Sequence, residues 1–128
     1  MRAAYPGLIT LLMMSTAYYS RIDPGRPAAF SPTIVTGMLR GDLHFRGVVI
    51  SDDVGSAAQV AAFAPGARAV DFVAAGGDMV LTVDSSLIGQ MAAAVLARAR
   101  SDIGFHALVD AAALRVLTAK KARGLLSR

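Results

Sequence analysis

The feature that most constrains this chain is a rhythm: short apolar runs alternate with longer segments whose apolar residues recur at three and four positions. Short runs suit strands and the longer period suits helices, so the order reads βαβα and predicts a parallel sheet with helices packed outside it. The run Val48-Val49-Ile50, fed by Phe45 and Gly47, is apolar on successive positions. A strand with one wet face would alternate, so this one is expected to be buried on both faces, as parallel strands are.

Two further strands are expected at Leu8 to Met14 and at Met79-Val80-Leu81. The turn formers Asp23-Pro24-Gly25-Arg26-Pro27 precede a short helix at Ser31-Pro32, with Ser31 as N-cap and Pro32 in the first helical position. Pro65 opens a second helix with Ala69, Val70, Phe72 and Val73 facing inward, and Gly76-Gly77 ends it. A third, capped by Asp84 or Ser85, runs to about Arg100 with Leu87, Ile88, Met91, Val95 and Leu96 as one apolar stripe. The last spans about Phe105 to Leu125, burying Leu108, Val109, Ala112, Val116 and Leu117. Three strands with four helices form an open wedge with an uncovered strand edge, which is a surface for self-association.

Composition narrows the functional classes. A chain of 128 residues that is 55% hydrophobic and 17% charged builds a packed core. The net charge of +4 comes from arginines scattered between Arg2 and Arg123, read as solvated surface. Without a basic cluster, and with 6% aromatics, nucleic acid is not an expected partner. No cysteine is present, which removes disulfides, thiolate metal sites and cysteine nucleophiles. The apolar stretch Leu8 to Met14 is well short of the ~20 residues that cross a bilayer. An alternative reading makes Arg2, Leu8 to Met14 and Ser15-Thr16-Ala17 a short secretion signal; the internal strand is preferred, and the compartment is left open between cytoplasm and cell envelope or exterior.

Reactive groups in parallel α/β folds stand at the C-terminal ends of strands, where loops vary around a rigid scaffold. Ser51-Asp52-Asp53 takes that place after Val48-Val49-Ile50. By position alone, a carboxylate there serves as metal ligand, general base, phosphate acceptor or glycosidic nucleophile. Asp53 reads as a loop anchor, Asp78 as a cap of the Gly76-Gly77 turn at the opposite end of the sheet, and Asp84 as a helix cap.

The segment Phe45-Arg46-Gly47-Val48-Val49-Ile50-Ser51-Asp52-Asp53 resembles the nucleophile signature of family 3 glycoside hydrolases. Upstream, Ser15-Thr16-Ala17-Tyr18-Tyr19, Asp23-Pro24, Pro27-Ala28, Ser31-Pro32 and Gly37-Met38-Leu39-Arg40 are similar to the stretch before that strand in the family's bacterial β-N-acetylhexosaminidase branch. Downstream, Ala74-Ala75-Gly76-Gly77-Asp78-Met79-Val80-Leu81 and the Val109 to Leu117 helix resemble the closing strand and final helix of the catalytic barrel. Asp53, where the β-glucosidase branch tends to carry tryptophan, favours the hexosaminidase side.

This resemblance implies that residues 1–128 are the C-terminal part of a (β/α)₈ TIM barrel domain, its last three strands and their helices. It implies a retaining glycosidase with Asp52 as nucleophile, a β-linked N-acetylglucosaminide or related glycoside as substrate, no cofactor and no metal. Thr16, Tyr18 and Asp23 are the implied substrate contacts, Tyr19 lies beside them, and Thr16 stands where some members carry histidine. The family's general acid/base is a histidine on an earlier loop, and no residue here matches it; His44 and His106 read as turn and surface residues. Two other readings are a non-catalytic remnant that needs a partner chain and an unrelated phosphate-binding barrel built on Gly76-Gly77 and Asp84. The latter leaves the Ser51-Asp52-Asp53 context without a role.

Overall fold

A computed structural model describes residues 11–127. The segment Leu8–Thr10 of the first expected strand, and the leader reading that begins at Arg2, lie outside the described residues. Strands β1 (Leu11–Met14), β2 (Val48–Asp53) and β3 (Met79–Leu81) form a parallel sheet in the order β1-β2-β3. Each crossover carries helix, as parallel neighbours require.

Alternation along the strands sorts the two faces. Leu12, Met14, Val49 and Val80 pack into the main core on the helical side. On the opposite face Leu11 and Met13 remain 52% and 56% exposed, so that side of the sheet is only partly covered. Val48 and Val49 are buried, in keeping with the apolar run.

The segment before β2 forms a helix from Thr33–Asp42 that is wound wider than an α-helix, with a Leu43 N–H to Met38 carbonyl bond of 2.9 Å across five residues. Gly37, Gly41 and the β-branched Thr33, Ile34, Val35 and Thr36 give this stretch weak preference for the tighter form. Ser31 starts it as expected: its Oγ accepts the Ile34 N–H at 3.2 Å, and Pro32 adopts helical angles.

Helix α1 (Pro65–Ala75) buries Ala69, Val70, Phe72 and Val73 and ends at Gly76, whose φ of 111° needs glycine. At Gly77 a Cβ would collide with the fully buried Phe72 ring. Asp84 accepts the Ser86 N–H at 3.0 Å and opens the turn Ser85–Leu87 into helix α2 (Ile88–Ser101). Helix α3 (Ile103–Ala122) begins two residues before the expected Phe105 and ends three before Leu125. Asp102 sets the start by accepting the Phe105 N–H at 3.0 Å, and Gly124, at φ 68°, follows the end.

The expected apolar stripes are corrected in both helices. On α2, Met91 is buried, whereas Ile88 and Leu96 are about half exposed and line a cavity of about 460 Å³ with Val80, Val95, Val109 and Ala112. On α3, Phe105 and Ala112 are buried while Leu108 and Leu117 stay exposed. Amphipathic spacing identifies an apolar face but not whether this chain covers it.

The reading of the arginines as solvated surface is also corrected. Arg68 is 8% exposed, and the Arg40 side chain is 12% exposed. Asp78 does lie at the N-terminal end of β3, but its carboxylate receives Arg40 at 2.6 Å, Arg115 at 2.9 Å and the Val49 N–H at 2.9 Å instead of capping the glycine turn. Arg40 reaches on to the carbonyls of Gly47 and Gly76. Burial pushes the Arg40 guanidinium below its usual range, and the Asp78 charge opposes that shift. Asp78 thereby ties the helix before β2, the start of β2 and α3 to one point.

Candidate active site at the end of the central strand

Three consecutive residues at the end of β2, Ser51, Asp52 and Asp53, are each placed by a different bond. Ser51 is fully buried, and its Oγ accepts the Leu81 N–H at 2.8 Å. The β2–β3 register slips here, from Ile50 opposite Met79 to Asp53 opposite Leu81, so a side-chain hydroxyl takes a ladder hydrogen bond that the main chain of β2 would otherwise accept. Asp52 follows, exposed at the C-terminal end of the central strand, with its Oδ1 accepting the Asp53 N–H at 2.7 Å.

Asp53 turns away into the loop. Its Oδ1 accepts the Gly55 N–H at 2.9 Å and the Val83 N–H at 3.1 Å, which joins the exits of β2 and β3. It is the loop anchor that its position suggested. Thr82 supports the same junction, donating to the Asp84 carbonyl and accepting the Asp84 N–H, both at 3.1 Å.

On the other side, Met14 of β1 pairs with Ser51, so the chain leaving β1 starts beside Asp52. Thr16 is only 3% exposed, and its side chain meets the interior. Tyr18 and Tyr19 are 46% and 48% exposed, with Tyr18 bridged to Pro27 where the loop folds back. Asp23 Oδ2 accepts the Ser31 hydroxyl at 2.7 Å, so it holds the N-cap of the following helix. That partner, eight residues away, was not read from the sequence.

His44 has φ 55° and lies in the turn before β2, at the opposite end from Asp52. His106 is exposed on α3 beside Asp110, at 3.6 Å. Among the described residues no group of three or more His, Cys, Asp or Glu side chains is arranged to hold a metal, and no helix is long and apolar enough to cross a membrane.

Sequence reading missed Arg68. From the first turns of α1 it donates through Nε to the Phe63 carbonyl at 2.8 Å and through Nη1 to the carbonyls of Val54 and Gly55 at 3.0 Å each. A signal was available: Arg68 stands four residues before Phe72, hence on the buried face of an amphipathic helix. A charge at such a position calls for buried acceptors.

Together these elements make a parallel α/β unit that presents a carboxylate at the end of its central strand. The chain belongs to the glycosyl hydrolase family 3 N-terminal domain family, whose model matches residues 8–119. It is 38% identical over 103 residues to a β-hexosaminidase of Stenotrophomonas maltophilia, covering 80% of this chain and 30% of that protein. The crystal structure of a β-N-acetylhexosaminidase from Beutenbergia cavernae superimposes with a TM-score of 0.87 at 51% identity, over 89% of this chain and 34% of that one. A family 3 β-N-acetylglucosaminidase from a Paenibacillus species gives a TM-score of 0.84 at 26% identity, over 94% and 23%. The chain thus spans about a third of the length of the relatives it matches.

Proposed function

We propose that this chain carries the nucleophile portion of a retaining glycoside hydrolase, with Asp52 as the attacking group and a β-linked N-acetylglucosaminide as the substrate class. The observation that carries the reading is the exposed Asp52 carboxylate at the C-terminal end of β2, oriented by the Asp53 N–H. In this reading the unit is the last three strands of a (β/α)₈ barrel. The names of the relatives, β-hexosaminidase and β-N-acetylhexosaminidase, support the sugar class over a β-glucoside.

In the reaction, an Asp52 oxygen attacks the anomeric carbon as the glycosidic oxygen departs with a proton from an acid, and water later displaces the aspartyl ester. Inversion at each step returns the original configuration. Tyr18 offers an apolar ring with a polar tip to the sugar, and Asp23, fixed by Ser31, holds the loop that carries it. Thr16, on the chain leaving β1 and only 3% exposed, is the third substrate-side residue of this reading. The acid/base comes from outside this segment, since His44 lies at the wrong end of the sheet.

Because the acid/base is supplied from elsewhere, the test gives chromogenic aryl N-acetylglucosaminides and glucosides, whose activated leaving groups depart without a proton, to the chain, its Asp52→Ala variant and a full-length relative. Turnover of the N-acetylglucosaminide that vanishes in the variant supports the reading, and preference for the glucoside overturns the substrate class.

A second reading is favoured by one observation, the half-exposed Leu11 and Met13 on the open sheet face. In it the chain is a non-catalytic unit that associates with another chain through that face and a strand edge left unpaired among the described residues. A folded chain that sediments as a complex and lacks turnover would support this alternative.

A further inference from the structure

We propose that Arg68 is a positioning residue for Asp52, acting through the loop that leaves β2. The proposal rests on the reading of Asp52 as nucleophile. Its basis is an unbroken series of hydrogen bonds running from the carboxylate to a buried guanidinium. Asp52 Oδ1 accepts the Asp53 N–H at 2.7 Å, Asp53 Oδ1 accepts the Gly55 N–H at 2.9 Å, and the Gly55 carbonyl accepts Arg68 Nη1 at 3.0 Å. The residue that donates one bond thus accepts the next, Asp53 and then Gly55.

Arg68 also closes the loop on itself. Its other two bonds go to the carbonyls of Val54, at the loop's start, and Phe63, at its end. Between them Val54 and Val60 are fully buried, and the Ala57 N–H donates to the Asp53 carbonyl at 3.2 Å. On the far side Gly55 presses against Thr82, where a Cβ would collide with the hydroxyl. The loop is thus held from α1 by Arg68 and from the exit of β3 by Thr82 and Val83, leaving Asp52 attached to a rigid mount.

A planar guanidinium suits this work because its fixed donors reach several carbonyls in one geometry, which an ammonium on a flexible stem does less well. Asp52 itself stays solvent-facing, so the order it needs comes from the backbone behind it. Arg68 does not touch the reacting atoms in this arrangement.

The experiment uses the isotopically labelled 128-residue chain with Arg68→Met and Arg68→Lys variants, followed by NMR. The readouts are the Asp52 carboxyl carbon resonance and amide hydrogen exchange at Asp53, Gly55 and Val83, with the amides of β1 and α3 as internal reference. In Arg68→Met the exchange at Gly55 rises about ten-fold or more, the scale of one lost net hydrogen bond, and the Asp52 resonance moves while the reference amides hold. Arg68→Lys falls between the two. An Asp52 resonance unchanged in a folded Arg68→Met variant overturns the proposal, as does a loss of protection spread evenly over the chain. Should Arg68→Met fail to fold, the same criteria applied to Arg68→Lys decide it. None of these readouts needs turnover, so their failure is separable from failure of the Asp52→Ala test of the nucleophile.

Discussion

Asp78 and Arg40, 38 residues apart in sequence, meet at 2.6 Å with the Asp78 side chain fully removed from solvent. The pair is completed by Arg115 and by the Val49 N–H, so one carboxylate satisfies two guanidiniums and the start of the central strand.

Removing that carboxylate leaves Arg40 buried without its counter-charge. Asp78→Ala is expected to cost about 3–5 kcal/mol of folding free energy, the range seen when one partner of a buried pair is deleted. Equilibrium urea denaturation measures it. A loss below about 1 kcal/mol, the scale of an exposed pair, would show that the site is solvated in solution.

Ser51→Ala removes the acceptor for the Leu81 N–H at the register slip. The expected loss is about 1–3 kcal/mol, the penalty for stranding a buried donor, with Ser51→Thr retaining most of the stability if its added methyl group is accommodated. Amide exchange at Leu81, compared with Val49, reads the effect at its source.

His44 adopts a left-handed conformation that costs a side-chain-bearing residue energy and costs glycine none. His44→Gly is expected to leave the protein as stable or raise its stability by up to about 1 kcal/mol. It also leaves any Asp52-dependent activity intact, since the turn is at the far end of the sheet. Thermal denaturation and the chromogenic assay check the two halves of this statement.

Burial raises the Asp71 carboxyl above its ordinary value, and the charges of Arg26 and Arg98 only partly offset this. A carboxyl whose folded value is raised contributes stability that is complete below the unfolded value and is lost as pH climbs through the folded one. Asp71→Asn cannot titrate. Its melting temperature relative to the parent should therefore increase from about pH 3 to about pH 7; a difference that is flat with pH, or falls, refutes the assignment.

Much of the arrangement was legible because it is local. Pro65 and Gly76 mark α1 through the backbone angles they impose, Ser31-Pro32 marks the start of a helix, and Val48-Val49-Ile50 marks the central strand, buried on both faces at Val48 and Val49. Asp52 could be placed at a strand end from the same apolar run. What sequence did not disclose is set by distance. The partners of Asp78 lie 29 to 38 residues away, and Arg68 meets carbonyls in a loop whose path no periodicity describes. Ile88 and Leu96 follow a helical repeat like their buried neighbours, yet nothing among the described residues fully covers them.

The C-terminal half of α3 and the residues after it lie across the beginnings of all three strands, where Val116, Ala119 and Leu125 face Leu11, Val48 and Met79 around a cavity of about 240 Å³. That gives the sheet a floor at one end and leaves the other unroofed. Under the proposed function, a glycoside would reach Asp52 from the end of the central strand opposite that floor.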